Sequence, residues 1–325
     1  MQTNPFPKLK TPVSRLGFGA FGLKGVFGDF DESESIETIR SCWEQGVNFI
    51  DTARHYGESE AIIGKALKGW SGAAPFIASK AECIGPLSQW ARPEPVEECF
   101  PKGHITREAE TSLRTMGVEC LDLYQMHLYW ANWGTEGYWL DELEALKSQG
   151  KIKALGISLP DHRHDIALPL VLSGRLDSVQ TVFNIFDPYP LDCLIPLCQK
   201  NEVAVLARCV LDEGGLTGSL SAESTFAEGD FRANYFDMGP RETYLKRVDA
   251  LRKFVPGEAV NLAALALKYV LVHPGVTTAL SSMHIREYAE ENIRALGEPP
   301  LSQAAFTELR DHHRWIRNFY GGKVL

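Results

Sequence analysis

The chain has 325 residues, of which 44% are hydrophobic and 23% charged, and its formal net charge is −9. This composition supports a large buried core, and the negative charge argues against non-specific binding to nucleic acids or anionic membranes. No apolar signal-peptide segment is visible at the start, and no run of about 18 apolar residues exists. The seven cysteines lack C-x-x-C spacing, which fits a reducing cytoplasm better than a disulfide framework or a zinc site. We therefore expect a cytoplasmic protein that binds a small molecule, with no nucleic-acid, membrane or metal partner.

Eight short apolar runs recur along the chain, and helical patterns follow them. The runs have the length of strands and are rich in Val, Ile, Leu and Ala, as strands buried on both faces are. They occupy residues 16–22, 47–51, 75–80, 120–127, 152–158, 178–183, 203–207 and 276–280. Helices are predicted from Asp31, over 58–70, 105–116, 140–149 and 162–173, after 191, and near 241–254, 259–272, 286–296 and 302–319.

This alternation predicts an α/β fold, a (β/α)8 TIM barrel with extra helices, formed by residues 1–325 as a single domain. The strand–helix unit recurs every 30 to 40 residues, roughly, which is typical of that barrel. The competing fold is a doubly wound open sheet, which usually carries G-x-G-x-x-G after its first strand. Gly17, Gly19 and Gly22 match that spacing, but no amphipathic helix follows them directly. The proline-rich segment 5–12 is expected to form a hairpin plug or cap.

Four polar side chains stand at or just behind the C-terminal ends of three consecutive strands. Asp51 ends the second strand and Tyr56 lies in the loop behind it, while Lys80 ends the third strand and His127 the fourth. In a barrel these strand ends form one rim, where the ligands of α/β folds bind. Each residue alone is more often a cap, a surface group or a structural side chain. Together they predict one catalytic site.

The motifs around these residues are similar to those of the aldo-keto reductases. The resemblance rests on Asp-Thr-Ala-x-x-Tyr-Gly-Glu-Ser-Glu at 51–60, Ile-Ala-Ser-Lys at 77–80 and Leu-Asp-Leu-Tyr-Gln-Met-His at 121–127. Shorter matches continue in order along the chain, at 156–158, 183–184, 215–218 and 290–292. The resemblance implies a barrel enzyme that reduces an aldehyde or ketone, in some members a sugar, with a nicotinamide dinucleotide. The reverse reaction would make it an alcohol or sugar dehydrogenase.

The resemblance also implies that the four polar residues form a catalytic tetrad, and physical chemistry gives each of them a role. Hydride that reaches a carbonyl carbon leaves an alkoxide, and the Tyr56 hydroxyl can donate the proton it needs. Because the ordinary pKa of tyrosine is about 10, a buried Lys80 ammonium is expected to bring it toward neutrality. Asp51 would neutralise Lys80, and His127 would hydrogen-bond the carbonyl oxygen.

The same resemblance places the cofactor contacts along the strands and loops of the barrel mouth. Ser158 and Gln180 match positions that hold the carboxamide, and the loop from Leu211 to Gly218 matches the segment that covers the pyrophosphate. The predicted cofactor residues are Gly19, Ser158, Gln180, Arg208, Leu211, Gly214, Ser282, Met283, His284, Tyr288, Glu291 and Asn292.

Three positions depart from the family pattern. Leu159 stands where an asparagine commonly contacts the carboxamide, and His284 where an arginine commonly meets the 2′-phosphate, with Arg286 nearby as a substitute. The expected cofactor is NADP(H) rather than NAD(H). Arg208 stands where an aromatic face commonly meets the nicotinamide. Its guanidinium plane can stack on that ring, and we hypothesise that its charge favours the reduced cofactor; the alternative is that it turns away into a surface salt bridge.

Two long loops on the same rim, 81–103 and 128–139, carry a cluster of tryptophans and tyrosines. Such aromatic side chains either pin the loops by packing or form the walls of a substrate pocket, and both interpretations stay open for the group. Trp90 and Trp130 are the predicted substrate residues, Trp130 because it lies three residues past His127.

The predicted function is therefore carbonyl reduction by an NADP-dependent oxidoreductase. A rival function of another class is a cofactor-sensing binding subunit, since some relatives of this family are auxiliary subunits of channels. The complete set of four catalytic residues favours the enzyme. The histidines at 162, 164, 312 and 313 have no carboxylate cluster at ligand spacing, so no metal site is predicted.

Overall fold

The computed structural model describes residues 1–85, 93–237 and 240–315. A two-stranded antiparallel hairpin, Thr3–Phe6 (β1) and Thr11–Ser14 (β2), precedes eight parallel strands. These are Leu16–Gly19 (β3), Phe49–Asp51 (β4), Phe76–Glu82 (β5), Leu121–His127 (β6), Ile152–Ser158 (β7), Ser178–Val182 (β8), Ala204–Arg208 (β9) and Thr278–Ser282 (β10). Each strand pairs with the next, and β10 pairs with β3, so the sheet closes into a barrel. The predicted TIM barrel is confirmed and the open doubly wound sheet is wrong.

Helices lie between the strands of the barrel. They are Glu32–Glu44 (α1), Ser59–Leu67 (α2), Val96–Cys99 (α3), His104–Met116 (α4), Tyr138–Ser148 (α5), Leu168–Leu172 (α6), Leu194–Lys200 (α7), Phe231–Asp237 (α8), Arg241–Asp249 (α9), Leu262–Leu271 (α10), Arg286–Ala295 (α11) and Gln303–His312 (α12). Within the described ranges, every helix is too short or too polar to cross a lipid bilayer.

Several helix boundaries differ from the prediction. The helix predicted over 162–173 is a 3₁₀ turn, His164–Ala167, followed by the short α6. A proline at the second position of α6 explains why no long helix runs through this segment, since proline is tolerated only in the first turn. Two helices, α3 and α8, lie in segments predicted as loops. The tail helix ends at His312, and residues 316–325 lie outside the described part of the chain.

The start of α1 shows how the sequence sets an element. The Asp31 carboxylate accepts a hydrogen bond from the Glu34 amide at 2.8 Å, so it caps the helix as its position predicts. Ile39, Cys42 and Trp43 then face the interior and are buried. Their spacing of three, four and one residues places them on one face of the helix.

The hairpin closes the N-terminal end of the barrel. Phe6 of β1 stacks on Phe76 at a centroid distance of 5.1 Å, and Phe76 stacks on Phe49 at 4.9 Å. These rings belong to a buried apolar cluster contributed by strands around the barrel. The expectation of a hairpin plug is confirmed. The polar residues at the C-terminal ends of the strands therefore gather at the opposite end of the barrel.

Candidate active site

A cavity of about 790 Å³ opens at the C-terminal mouth of the barrel. Its volume is within the range of small-molecule and cofactor sites. Asp51, Tyr56 and His127 line it. Lys80 is fully buried and reaches the same centre from β5. The structure therefore brings together the four residues that the sequence placed on the ends of β4, β5 and β6.

A buried ion pair forms the base of this centre. The Lys80 ammonium donates to Asp51 Oδ1 at 2.5 Å and to the Thr52 carbonyl at 2.8 Å. Asp51 Oδ2 accepts from the amide of Gln180 at 2.8 Å and from that of Gln125 at 3.4 Å. Both carboxylate oxygens and the ammonium are thus satisfied inside the protein, which a buried pair requires.

The Tyr56 hydroxyl lies 3.5 Å from Lys80 Nζ, which donates to it. The loop that carries Tyr56 is held by the remaining residues of its motif. Thr52 and Ser59 hydroxyls meet at 2.5 Å, and the Arg54 guanidinium donates to the buried Glu60 carboxylate at 2.8 Å. The 51–60 motif is therefore a structural unit that positions Tyr56, in addition to supplying it.

The pKa of Tyr56 differs from the expectation drawn from the sequence. Burial raises it well above the usual value for tyrosine, and the negative charge of Asp51 raises it further. Lys80 Nζ lies 3.5 Å from the hydroxyl, but Asp51 offsets its charge at 2.5 Å, so the rise caused by burial and Asp51 prevails. Tyr56 therefore keeps its proton at neutral pH, which is the form a proton donor needs.

His127 is neutral for the same main reason, its burial. Burial lowers its pKa well below the usual value, and the positive charges of Lys80, Arg208 and Lys24 lower it further. Its ring stands edge-on to that of Tyr56, with 5.7 Å between the centroids. A neutral imidazole beside a protonated phenol can donate a hydrogen bond without a change of charge.

Strand register explains why residues far apart in sequence share one level of the mouth. His127 pairs with Ser158 across β6 and β7, and Ser158 pairs with Gln180 across β7 and β8. The Ser158 hydroxyl is buried and has no hydrogen-bond partner among the described residues. An unsatisfied buried hydroxyl costs about 1–3 kcal/mol.

Most of the predicted cofactor residues line the same cavity. These are Gly19, Gln180, Arg208, Leu211, Gly214, Ser282, His284, Tyr288, Glu291 and Asn292. Met283 and Ser158 are not on the cavity wall; Met283 is fully buried. The His284 side chain is buried, and its Nε2 has no partner among the described residues. Burial lowers the pKa of His284 to about 4, with a smaller effect from Arg232.

Arg208 combines both outcomes weighed for it. Its guanidinium donates to Asp161 Oδ1 at 2.6 Å and to the Leu159 carbonyl at 2.9 Å, and it still lines the cavity. The Arg208 side chain is only 17% exposed, so its ion pair with Asp161 is partly buried. The positive charge at the nicotinamide end is therefore partly neutralised by Asp161.

The loop after β9 has an unusual backbone. Cys209, Asp212 and Glu213 all have positive φ, between 49° and 54°, which non-glycine residues adopt at a cost of about 1–3 kcal/mol each. The Asp212 carboxylate holds this conformation by accepting from the hydroxyls of Tyr235 at 2.5 Å and Tyr244 at 2.6 Å. The conformation turns Leu211 and Gly214 toward the cavity.

The two predicted substrate residues are not on the described wall of the cavity. Trp130 is almost fully buried, and the Arg163 guanidinium lies 5.7 Å from its ring. This placement agrees with loop packing, because an aromatic ring in a long loop gains most from burial. Trp90 lies outside the described residues.

Sequence reasoning missed other residues of the wall. Phe21 packs against Tyr56 at a centroid distance of 5.0 Å and against Phe231 of α8 at 5.9 Å. Lys24 and His55 line the mouth beside Tyr56. His55 directly precedes Tyr56 in the motif, and this adjacency was the available signal.

Comparison with known proteins identifies the fold and site as those of a family. A family model described as the aldo/keto reductase family matches residues 15–314. The chain belongs to the aldo/keto reductase family. As an aldo-keto reductase it is an oxidoreductase that acts on carbonyl compounds with a nicotinamide cofactor.

Individual relatives cover almost all of this aldo-keto reductase. A protein named NADH-specific methylglyoxal reductase from Escherichia coli (strain K12) is 30% identical over 96% of this chain and 98% of its own. An aldo-keto reductase from Bacillus subtilis (strain 168) is 30% identical over 82% of this chain and 80% of its own. The solved structure of a glycerol dehydrogenase from Gluconobacter oxydans is 27% identical with a TM-score of 0.78, over 96% of this chain and 95% of that one.

The residues of this aldo-keto reductase fit a nicotinamide dinucleotide. The His284 ring lines the cavity, and its unsatisfied Nε2 is available to a polar group of a ligand. Gly22 is required by the same arrangement, since a Cβ there would lie 2.1 Å from the His284 ring. Among the described residues, no group of three or more His, Cys, Asp or Glu side chains is arranged to hold a metal ion.

Proposed function

We propose that the protein reduces an aldehyde or ketone to an alcohol, with Tyr56 as the general acid. One observation carries the proposal. The Tyr56 hydroxyl, the Lys80 ammonium and the Asp51 carboxylate form one hydrogen-bonded line at the base of a cavity large enough for a nicotinamide and a substrate. An acid held by a neutralised cation suits proton donation to a developing alkoxide.

The chain's residues divide the chemistry among them. The nicotinamide, when bound, supplies the hydride. Tyr56 gives its hydroxyl proton to the carbonyl oxygen, so the C=O bond becomes CH–OH and a tyrosinate remains. The Lys80 ammonium, 3.5 Å from that oxygen, stabilises the tyrosinate, and Asp51 keeps Lys80 in place. The neutral His127 orients the carbonyl by donating a hydrogen bond to it.

We propose the following contacts for the cofactor. Ser158 and Gln180 hold the carboxamide, at the level of the mouth set by strand register. The loop from Leu211 to Gly218 covers the pyrophosphate. The adenosine end lies against His284, Tyr288, Glu291 and Asn292.

We propose NADP(H) as the preferred cofactor, with a modest preference over NAD(H). Arg232 lines the cavity and supplies positive charge for a 2′-phosphate. However, Arg232 is paired with Asp230 at 2.6 Å and Arg286 with Glu37 at 3.3 Å, so a phosphate must compete with carboxylates. The E. coli relative named above is NADH-specific, so it does not support this preference.

We propose a small polar carbonyl compound or sugar as the substrate. One relative is named for methylglyoxal and one solved relative for glycerol. Trp90 remains a proposed substrate residue, whereas Trp130 acts through packing. All seven cysteines are free thiols, which supports the cytoplasm as the proposed location of this single-domain chain.

A panel of aldehydes, ketones and sugars, each with NADPH and NADH, tests the proposal. We expect carbonyl-dependent loss of the reduced-nicotinamide absorbance with at least one ordinary carbonyl. Tight cofactor binding without turnover of any compound would instead support the cofactor-sensing subunit. The ratio of kcat/KM values for NADPH and NADH measures the cofactor preference directly.

A further inference from the structure

Three side chains that the proposed chemistry does not use, those of Lys24, His55 and Glu82, are linked by hydrogen bonds beside Tyr56. Lys24 Nζ lies 3.0 Å from His55 Nε2, and His55 Nδ1 lies 2.8 Å from Glu82 Oε1. An ammonium can only donate, so Nε2 accepts from Lys24 and Nδ1 donates to the Glu82 carboxylate. The arrangement fixes a neutral imidazole between a cation and an anion.

Of the two charged ends of this hydrogen-bonded series, Lys24 is the one that lines the cavity. Lys24 and His55 line the cavity, whereas Glu82 does not. The Lys24 stem packs on the turn that holds Tyr56, since its Cγ lies 3.7 Å from the position of a Cβ on Gly57. Among the described residues the ammonium has one hydrogen bond, to His55, so it retains two N–H groups for a ligand.

The charges around the catalytic centre make this cation different from the others. Lys80 is paired with Asp51 at 2.5 Å and Arg208 with Asp161 at 2.6 Å. Glu82 is the carboxylate linked to Lys24 through hydrogen bonds, and the His55 imidazole lies between the two. The positive charge of Lys24 reaches the centre, because it helps to lower the pKa of His127.

The carboxylates that line the cavity come from other loops and helices than Lys24. Asp161 and Glu213 follow β7 and β9, and Glu291 belongs to α11. Asp51 is the carboxylate at the base, and Lys80 neutralises it. A negatively charged substrate group is therefore favoured beside Lys24 and disfavoured beside Glu213 and Glu291.

We propose that Lys24 selects carbonyl substrates that carry an anionic group, a carboxylate or a phosphate, a few bonds from the carbonyl. This rests on the proposed function, because it names a substrate class for the same site. Lys24 donates its two remaining N–H groups to the anion, while His55 and Glu82 are positioning residues that hold Lys24. Phe21, 5.0 Å from the Tyr56 ring, packs on the carbon chain between the two groups.

Two matched pairs of substrates test this selection in the intact enzyme with reduced cofactor. Succinic semialdehyde is compared with its methyl ester, and glyceraldehyde 3-phosphate with glyceraldehyde. We expect the charged member of at least one pair to have a kcat/KM about tenfold higher, as a charge-assisted hydrogen bond allows. The pair with the larger ratio identifies the anion, and added salt should lower that ratio.

Variants separate the role of Lys24 from a general effect on the protein. Lys24→Met should lower the charged-to-neutral ratio about tenfold, mainly through KM, and Lys24→Arg should retain most of it. Glu82→Gln should lower the ratio by a smaller factor, since Lys24 keeps its charge and loses only its support. Lys65→Met is the matched control, because Lys65 is an exposed lysine of α2 paired with Glu32 and is not on the cavity wall.

The outcomes distinguish this inference from the proposed function. Charged-to-neutral ratios near one for both pairs in the wild type overturn the inference alone, since turnover of the neutral carbonyls still supports the reductase. The inference is also overturned if the charged-to-neutral ratio of kcat/KM values in Lys24→Met is as high as that in Lys65→Met. If the wild type reduces none of these four carbonyls but reduces another compound of the wider panel, only the inference is overturned. Failure with every carbonyl of the panel overturns both.

Discussion

The Asp51–Lys80 ion pair and the β7 to β10 side of the cavity differ in how far the protein satisfies their polar groups. On the side of β4 to β6, both oxygens of Asp51 and the ammonium of Lys80 have protein partners. On the side of β7 to β10, the Ser158 hydroxyl and the His284 Nε2 are buried without a partner among the described residues. The loop after β9 adds strained backbone on that same side.

This difference indicates that the acid–base centre is complete in the protein alone, whereas the nucleotide side is completed by its ligand. Unsatisfied buried groups and strained backbone lower stability, and they persist at binding sites because a ligand compensates for them. A ligand that binds only the folded state then stabilises the protein. Changes on the first side should therefore affect folding and chemistry, and changes on the second should affect mainly ligand binding.

The largest effect is expected from Lys80→Met, which breaks the completed side. Asp51 would keep a buried charge with only amide donors, and loss of one partner of a buried pair costs about 3–5 kcal/mol. Urea unfolding measures this, and Asp51→Asn combined with Lys80→Met should recover at least half of the loss. Lys10→Met removes an exposed pair with Glu202 and is the control. Equal stability of Lys80→Met and Lys10→Met would contradict the account.

A second large effect concerns how the stability of the protein depends on pH through His284, on the β7 to β10 side of the cavity. The pKa of His284 is lowered to about 4 in the folded protein, against 6.5 ordinarily. Between these values the unfolded chain binds more protons, so the contribution of neutral His284 is fully present above pH 6.5 and is lost as pH falls to 4. The shift corresponds to about 3 kcal/mol.

His284→Asn should therefore lose less stability than the wild type over that pH window. The measurement is urea unfolding at intervals from pH 6.5 to 4, with His312→Asn as an exposed control. The quantity of interest is the difference between wild type and variant at each pH. Parallel stability curves for wild type and His284→Asn would show that His284 is not buried in its neutral form.

A smaller effect is expected for cofactor affinity through Glu213, which lines the cavity. Burial raises the Glu213 pKa to about 7, the Cys209 thiol opposes this through a hydrogen bond, and Asp212 adds to it. Above pH 7 the carboxylate is ionised and repels the cofactor diphosphate. Affinity should fall about three- to tenfold from pH 6 to pH 8, or roughly 1 kcal/mol.

Glu213→Gln should remove that dependence on pH, and fluorescence titration of the reduced cofactor at both pH values measures it. Tyr56 and His127 do not titrate in this window, since the pKa of one is well above 10 and that of the other well below 6.5. Glu242→Gln, which changes an exposed residue paired with Lys246, is the control. The same slope in Glu213→Gln and wild type would rule out Glu213 as the titrating group.

The smallest effect is expected from Arg208→Gln. The guanidinium should favour the reduced over the oxidised, cationic nicotinamide, but Asp161 neutralises much of its charge. We expect the ratio of the two dissociation constants to change by about threefold, as for a largely screened charge. Isothermal titration with both cofactor forms measures the ratio. A ratio identical to that of the wild type would exclude an electrostatic role for Arg208.

The strand ends were predictable because they depend on local patterns. Asp51, Lys80 and His127 each terminate a short apolar run, and a closed barrel brings such ends together whatever the loops do. The cap at Asp31 was predictable for the same reason. These features need only the neighbouring few residues and the rule that parallel strands share one edge.

Other features depended on contacts between distant segments and were missed. Lys24, His55 and Glu82 come from three different loops or strand ends, and nothing local predicts that they meet. The helices α3 and α8 are four and seven residues long, and short helices depend on tertiary packing. The direction of the Tyr56 pKa shift required the geometry, because it depends on the burial of the hydroxyl and on the nearby charge of Asp51.

The most direct test of the central claim is a single turnover in which enzyme loaded with reduced cofactor is mixed with a carbonyl substrate. We expect rapid loss of reduced-nicotinamide absorbance in the wild type and in Tyr269→Phe, a buried tyrosine whose hydroxyl has no partner among the described residues. Tyr56→Phe should bind the cofactor equally well but react about 10²–10⁴ times more slowly. A Tyr56→Phe rate equal to that of the wild type would contradict the assignment of Tyr56 as the proton donor.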